Sequence, residues 1–115
     1  MFNFEKLAVW QKAIAFAGAV YGVTRTFPAD ERFGLTNQIR RAATSIASNI
    51  AEGSARPPAD YAKFIGYASG SLYEVVTQST LARNEGFLSQ IDFDQIYRGA
   101  DEIARMLSGL RKSLE

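Results

Sequence analysis

The stretch Gln38–Gly53, QIRRAATSIASNIAEG, decides how the chain is read. Extended back to Leu35, it carries apolar residues at Leu35, Ile39, Ala42 or Ala43, Ile46 and Ile50. Steps of three and four residues place these on one face of an α-helix. Gly53 stands where a left-handed C-cap is expected, and Pro57 and Pro58 follow as a stop signal. With Ile39 at the centre of the buried face, 100° per residue puts Arg40 on a flank, beside Ala43, Ala47 and Ala51. Arg41 then points outward with Thr44, Ser48 and Glu52. The paired arginines therefore have separate directions and separate roles.

Outward from this helix the same periodicity continues. Leu7, Trp10, Ile14, Ala17, Tyr21 and Thr24 form one face of a first helix, which stops before Pro28 in "FPAD". After the proline pair, Tyr61, Ile65, Ala68, Leu72, Val75, Ser79 and Ala82 predict a third helix, capped at Gly86. Asp92 is a candidate N-cap for a fourth, with Ile96, Ala100, Ile103, Leu107, Leu110 and Leu114 on its apolar face. No segment alternates like a strand. Four helices of about 20 residues joined by short turns predict an all-α fold, an antiparallel up-down-up-down four-helix bundle. The 115 residues suit one domain spanning 1–115, and a hydrophobic content of 47% supports a real core.

The first helix has a second apolar stripe. Val9, Ala13, Phe16, Val20, Val23 and Phe27 run parallel to the first stripe, about 200° around the helix. One bundle core needs only one of them. The stripe of Val9, Phe16, Val20, Val23 and Phe27 is therefore a candidate oligomer interface. The competing reading is a wide core-facing surface with Val20 and Val23 at its rim. Small-residue ladders at Ala15, Gly18 and Gly22, at Ala43, Ala47 and Ala51, and at Ala62, Gly66 and Gly70 allow close helix approach and are a further clue to self-association. A homo-oligomer is expected.

Net charge is +1, so bulk charge gives no case for nucleic-acid binding. Local charge is more informative. Between Tyr21 and Arg56 lie Arg25, Arg32, Arg40, Arg41 and Arg56, against Asp30, Glu31 and Glu52. Arg32, Arg41 and Arg56 are the candidate nucleic-acid-binding residues, forming a positive strip that an oligomer would repeat. The alternative is a protein-interaction scaffold whose arginines are structural. Arg40, Asn49, Glu52 and Glu74 are expected to form a polar network. In it Arg40 reaches across a helix crossing, with Glu74 as one possible partner, and Arg56 lies nearest Glu52. Asn49 ties its helix to a neighbour or to its own terminus.

The chain has no histidine and no cysteine. The commonest general base and the thiolate and imidazole metal ligands are missing, as is any Glu-x-x-His di-iron motif. Phosphate-loop, dinucleotide and nucleophile-elbow motifs are absent too. Glu52 and Glu74 as an acid–base pair form the only catalytic reading, and a weaker one than ion-paired structure. The expectation is a non-enzyme with no cofactor and no metal. The 14 aromatic residues form no evident base-stacking platform. The longest uncharged stretch near the start, Ala13–Thr24, is too short for the roughly 20 residues of a membrane span, and no leader is read. A cytoplasmic protein is expected.

Several motifs together resemble a known family. They are Leu7 to Trp10, Phe27 to Glu31 (FPADE), Leu35 to Ala42 (LTNQIRRA), Asn49 to Gly53 (NIAEG) and Gly70 to Glu74 (GSLYE). In this order and spacing they resemble the bacterial four-helix bundle proteins encoded in intervening sequences of 23S rRNA genes. The resemblance covers about residues 2 to 90. It implies an up-down bundle assembling into a ring of five, a homopentamer. It also implies a relation to the accessory protein Avd of diversity-generating retroelements, which has a basic surface and works with a reverse transcriptase and nucleic acid. Candidate partners are therefore further copies of the chain, RNA, or a reverse-transcriptase-like protein.

Overall fold

A computed structural model describes the whole chain, Met1–Glu115. After a 3₁₀ turn at Asn3–Lys6 come α1 (Ala8–Thr24), a second 3₁₀ turn at Ala29–Glu31, α2 (Leu35–Ser54), α3 (Pro58–Asn84) and α4 (Gln90–Ser113). There are no strands. None of the helices is long and apolar enough to cross a membrane.

The helix ends follow local chemistry. At the start of α2 the Leu35 N–H donates to Glu31 Oε1 at 3.3 Å. Pro58 occupies the first turn of α3, where its missing N–H costs nothing. Gly86 ends α3 with φ +81°, the only positive φ in the chain. The Phe87 N–H donates to Ala82 O at 2.8 Å and the Gly86 N–H to Arg83 O at 3.0 Å, a full Schellman closure. Two expected caps differ. Ser89 caps α4, its Oγ accepting from the Asp92 N–H at 3.1 Å, so Asp92 sits inside the first turn. Gly53 is helical, not left-handed. A Cβ there would lie 2.6 Å from Phe64 Cβ and 3.0 Å from Tyr61 Cδ1, so glycine is needed for the α2–α3 approach.

Each helix packs against its sequence neighbours, and α4 closes back on α1. The diagonal pairs α1/α3 and α2/α4 do not approach one another. This square arrangement, with α2–α3 the largest interface, is an elongated bundle of 43 × 22 × 22 Å. The main core runs along its axis through Val20, Ile39, Ile46, Ile50, Ile65, Leu72, Ile96, Ile103 and Leu107. A smaller cluster of Phe27, Leu35, Ala82, Leu88 and Phe93 seals the end where the α1–α2 and α3–α4 connections meet.

The second stripe of α1 turns inward, and most of the first joins it: Thr24 is buried, and Leu7, Trp10 and Ala17 pack against the main core, so the helix presents a wide face to the core. Val9, Phe16, Val20 and Phe27 are buried inside the chain, and Val23 packs against both clusters. These five residues thus belong to the core and are not an available interface. Ile14 and Tyr21, expected inside, are 48% and 42% exposed. The two stripes are equally greasy, and fit decides which lies deeper. The Phe16 ring lies where a Cβ at Gly99 of α4 would come within 2.9 Å, so that glycine makes room for it. Trp10 and Tyr21 carry polar groups that prefer a wet edge. No helix of the same chain crosses closely at Gly18, Gly22, Gly66 or Gly70, since a Cβ at any of them would meet nothing within 4 Å.

Candidate nucleic-acid interface

The outer face of α2 exposes Asn37, Arg41, Thr44 and Ser48. Between this face and the C-terminal half of α1 lies an open cleft of about 630 Å³. Arg32, Arg40 and Arg41 line it, with Tyr21, Phe33 and Thr36; no carboxylate does. A smaller adjoining hollow shares Arg32, Thr36 and Arg40 and adds Arg25. Across α2, a third shares Asn37, Arg41 and Ser45 and adds Ser71, Glu74 and Gln78 from α3. Glu74 is the one carboxylate along these three hollows.

The arginines are held differently. Arg40 Nε donates to Thr24 Oγ1 at 2.8 Å, and that hydroxyl donates in turn to Val20 O at 2.8 Å. The Arg40 guanidinium lies 4.8 Å from the centre of the Tyr21 ring. Arg40 therefore does bond across a helix crossing, but to α1 and not to Glu74. A guanidinium has five N–H donors, so four of Arg40's remain unclaimed within the chain. Arg32 sits 5.8 Å from the Phe33 ring centre. Neither Arg32 nor Arg41 takes part in any ion pair; the chain's two are Lys12–Glu102 and Arg105–Asp101. The wall contains one more loose end. Thr36 is buried, and its Oγ1 has no hydrogen-bond partner.

The other sequence candidates are dispersed. Arg56 lies past the far end of α2, roughly 20 Å from Arg41 at 1.5 Å per residue. It stacks on Phe64, 4.7 Å from the ring centre, and does not pair with Glu52. Glu52 and Glu74 are exposed and unpaired. Asn49 Nδ2 donates to Ser45 O at 2.8 Å within its own helix, and Ser45 bonds Ser71 across to α3. The expected network of Arg40, Asn49, Glu52 and Glu74 is thus replaced by separate contacts. No group of three or more acidic side chains is placed to hold a metal ion.

Sequence reasoning missed Arg40, Tyr21 and Phe33 as members of the site. Phe33 had a signal. It is a large apolar residue in the short segment between Pro28 and Leu35, where no helix face can bury it.

A family model described as 23S rRNA-intervening sequence protein matches residues 5–109. The chain belongs to this family. None of the curated proteins matches it in sequence. Among solved structures, it is similar to a protein of unknown function from the S23 ribosomal protein family of Bacteroides thetaiotaomicron VPI-5482, determined at 1.70 Å. The TM-score is 0.81 at 23% identity, covering 91% of this chain and 99% of that one. At that identity the likeness concerns the fold. In this chain the LTNQIRRA run supplies Thr36, Arg40 and Arg41 to the cleft wall. The NIAEG run supplies Gly53 to the α2–α3 contact.

Proposed function

We propose that the chain is a non-catalytic, self-assembling bundle that binds RNA through the arginine cleft of α2. The observation that carries this reading is the set Arg32, Arg40 and Arg41 opening on one cleft that no carboxylate lines. Guanidinium groups with free donors in a fixed fork suit phosphate oxygens. The names of the matched family and of the Bacteroides protein's family, 23S rRNA-intervening sequence and S23 ribosomal, favour RNA as the polyanion. With neither histidine nor cysteine, and with Glu52 and Glu74 exposed and on different helices, a catalytic centre has little support.

One chain at net charge +1 gives few phosphate contacts, so repetition matters. Self-assembly is supported by two diagonal helices. Lys12 is the one charged residue of α1, which leaves Ile14 exposed beside Ala15 and Gly18. Glu74 is the one charge between Phe64 and Ala82 of α3, which leaves Tyr67, Tyr73 and Leu81 exposed. Faces on opposite sides of the bundle suit a head-to-tail contact, which closes as a ring if the rotation allows. The ring of five implied by the resemblance is such a closure.

The test is a salt titration of RNA affinity, read by fluorescence anisotropy. Log affinity is expected to fall linearly with log salt. Arg32→Ala and Arg41→Ala each flatten that slope by about one unit, whereas Arg56→Ala leaves it nearly unchanged. Absence of RNA binding at low salt would remove this reading in favour of a protein-interaction scaffold.

A further inference from the structure

Phe33 is 86% exposed, the most exposed aromatic ring of the chain, and belongs to neither core cluster. It stands at the mouth of the arginine cleft, in the segment leading into α2. Tyr21 faces the same cleft from α1. Each ring is paired with a guanidinium, Phe33 with Arg32 and Tyr21 with Arg40. Two aromatic–arginine pairs thus share one acid-free hollow.

We propose that this cleft takes an unpaired nucleotide segment, with a base laid on Phe33 and the neighbouring phosphate held by Arg32, Arg40 and Arg41. The inference rests on the RNA-binding reading and narrows it to single strand. A base offers its flat face to an aromatic side chain only when it is outside a duplex stack. Arginines alone would serve duplex and single strand alike, because both display phosphates. An exposed ring among them serves only the strand whose base faces are free. The hollow, at about 630 Å³, falls in the range of roughly 300–1,000 Å³ typical of sites for small ligands, enough room for a nucleotide unit. The Thr36 hydroxyl on its wall, buried and unpartnered, is available to a sugar or phosphate oxygen once side chains shift around the strand. A cationic ligand is disfavoured by the three guanidinium groups.

The experiment compares a labelled oligouridylate with a blunt RNA duplex of equal length, on the full chain at low salt. Variants are Phe33→Ala, Phe33→Tyr and Arg41→Ala. Because Phe33 packs in neither core, these proteins are expected to melt with the parent by circular dichroism. The single strand is expected to bind about tenfold tighter than the duplex. Phe33→Ala should lose about tenfold on the single strand with its salt slope unchanged, and Phe33→Tyr should restore it. Arg41→Ala should weaken both probes and flatten both slopes. Equal affinity for the two probes with Phe33→Ala neutral, or equal losses on both, would overturn the stacking inference and leave the arginine reading standing. Failure of either RNA to bind in a salt-dependent way would overturn both.

Discussion

At the scale of single residues, the region around Gly53 shows how tightly α2 and α3 are fitted. The hypothetical Cβ at this position meets Phe64 Cβ at 2.6 Å, an atom fixed next to the α3 backbone and unable to swing away. Gly53→Ala should therefore cost about 1–3 kcal/mol, typical of overpacking. Gly109→Ala is the matched control. Gly109 is helical, exposed and free of any neighbour within 4 Å, so alanine there should gain about 0.5–1 kcal/mol. Urea midpoints of the two variants should move in opposite directions. Tyr61, which also borders Gly53, has a buried hydroxyl with no partner. Burial pushes its phenol above the ordinary value of 10.0. The sign follows from which state keeps the proton. Below pH 10 both folded and unfolded chains hold it, and stability is unaffected. Above that the unfolded chain releases it first, and stability falls. Tyr61→Phe should raise stability by about 1 kcal/mol at neutral pH, since an unsatisfied buried hydroxyl is removed. It should also flatten the alkaline limb of the stability curve, measured by urea unfolding between neutral pH and pH values above the phenol's ordinary range.

At the scale of helices, the sequence is legible where one face differs from the rest and illegible where it does not. On α2 and α4 the apolar residues fall on one side, and the expected core positions Ile39, Ile46, Ile50, Ile96, Ile103 and Leu107 are all buried. Gly86 was readable because a glycine after the last apolar step leaves the chain few other ways to turn. On α1 almost every residue is apolar or small, so periodicity found two stripes but gave no means to rank them. The choice rests on Gly99, some eighty positions downstream, whose missing side chain admits Phe16. No local window contains that information. The same limit explains the candidate site. Helical geometry put Arg40 on a flank and Arg41 outward with separate roles, yet both line one cleft. It could not foresee that Arg32, arriving from the interhelix segment, would join both in one cleft, or that Thr24 would take the partner role considered for Glu74. A glycine ladder is an equally weak local guide, because Gly66 and Gly70 invite a close approach that no helix of the same chain makes.

At the scale of the whole molecule, α1 keeps an exposed apolar remnant although both of its stripes pack largely on the core. Of the first stripe only Ile14 and Tyr21 stay exposed, and Tyr21 packs against Arg40, so Ile14 is the apolar residue left for another copy to cover. Ile14, Ala15 and Gly18 are exposed side by side, and nothing within the chain fills the space above Gly18, which leaves room for a second helix. Ile14→Glu separates the two levels of organisation. Ile14 is about half exposed, so a single folded chain should lose no more than about 0.5 kcal/mol, the usual range for surface substitutions. A carboxylate placed in an apolar seam must instead be desolvated without a partner, and the seam should open. Light scattering should then give the parent a multiple of the chain mass and Ile14→Glu a single chain, with equal helical content by circular dichroism. Val20→Glu, at a fully buried position, should unfold the chain and marks what core damage looks like. Assembly and RNA affinity should fall together in Ile14→Glu, because dispersing the copies removes avidity while each cleft keeps its arginines. A parent protein that remains one chain at every concentration would refute the seam, and the exposed faces of α1 and α3 would then have to meet a different partner.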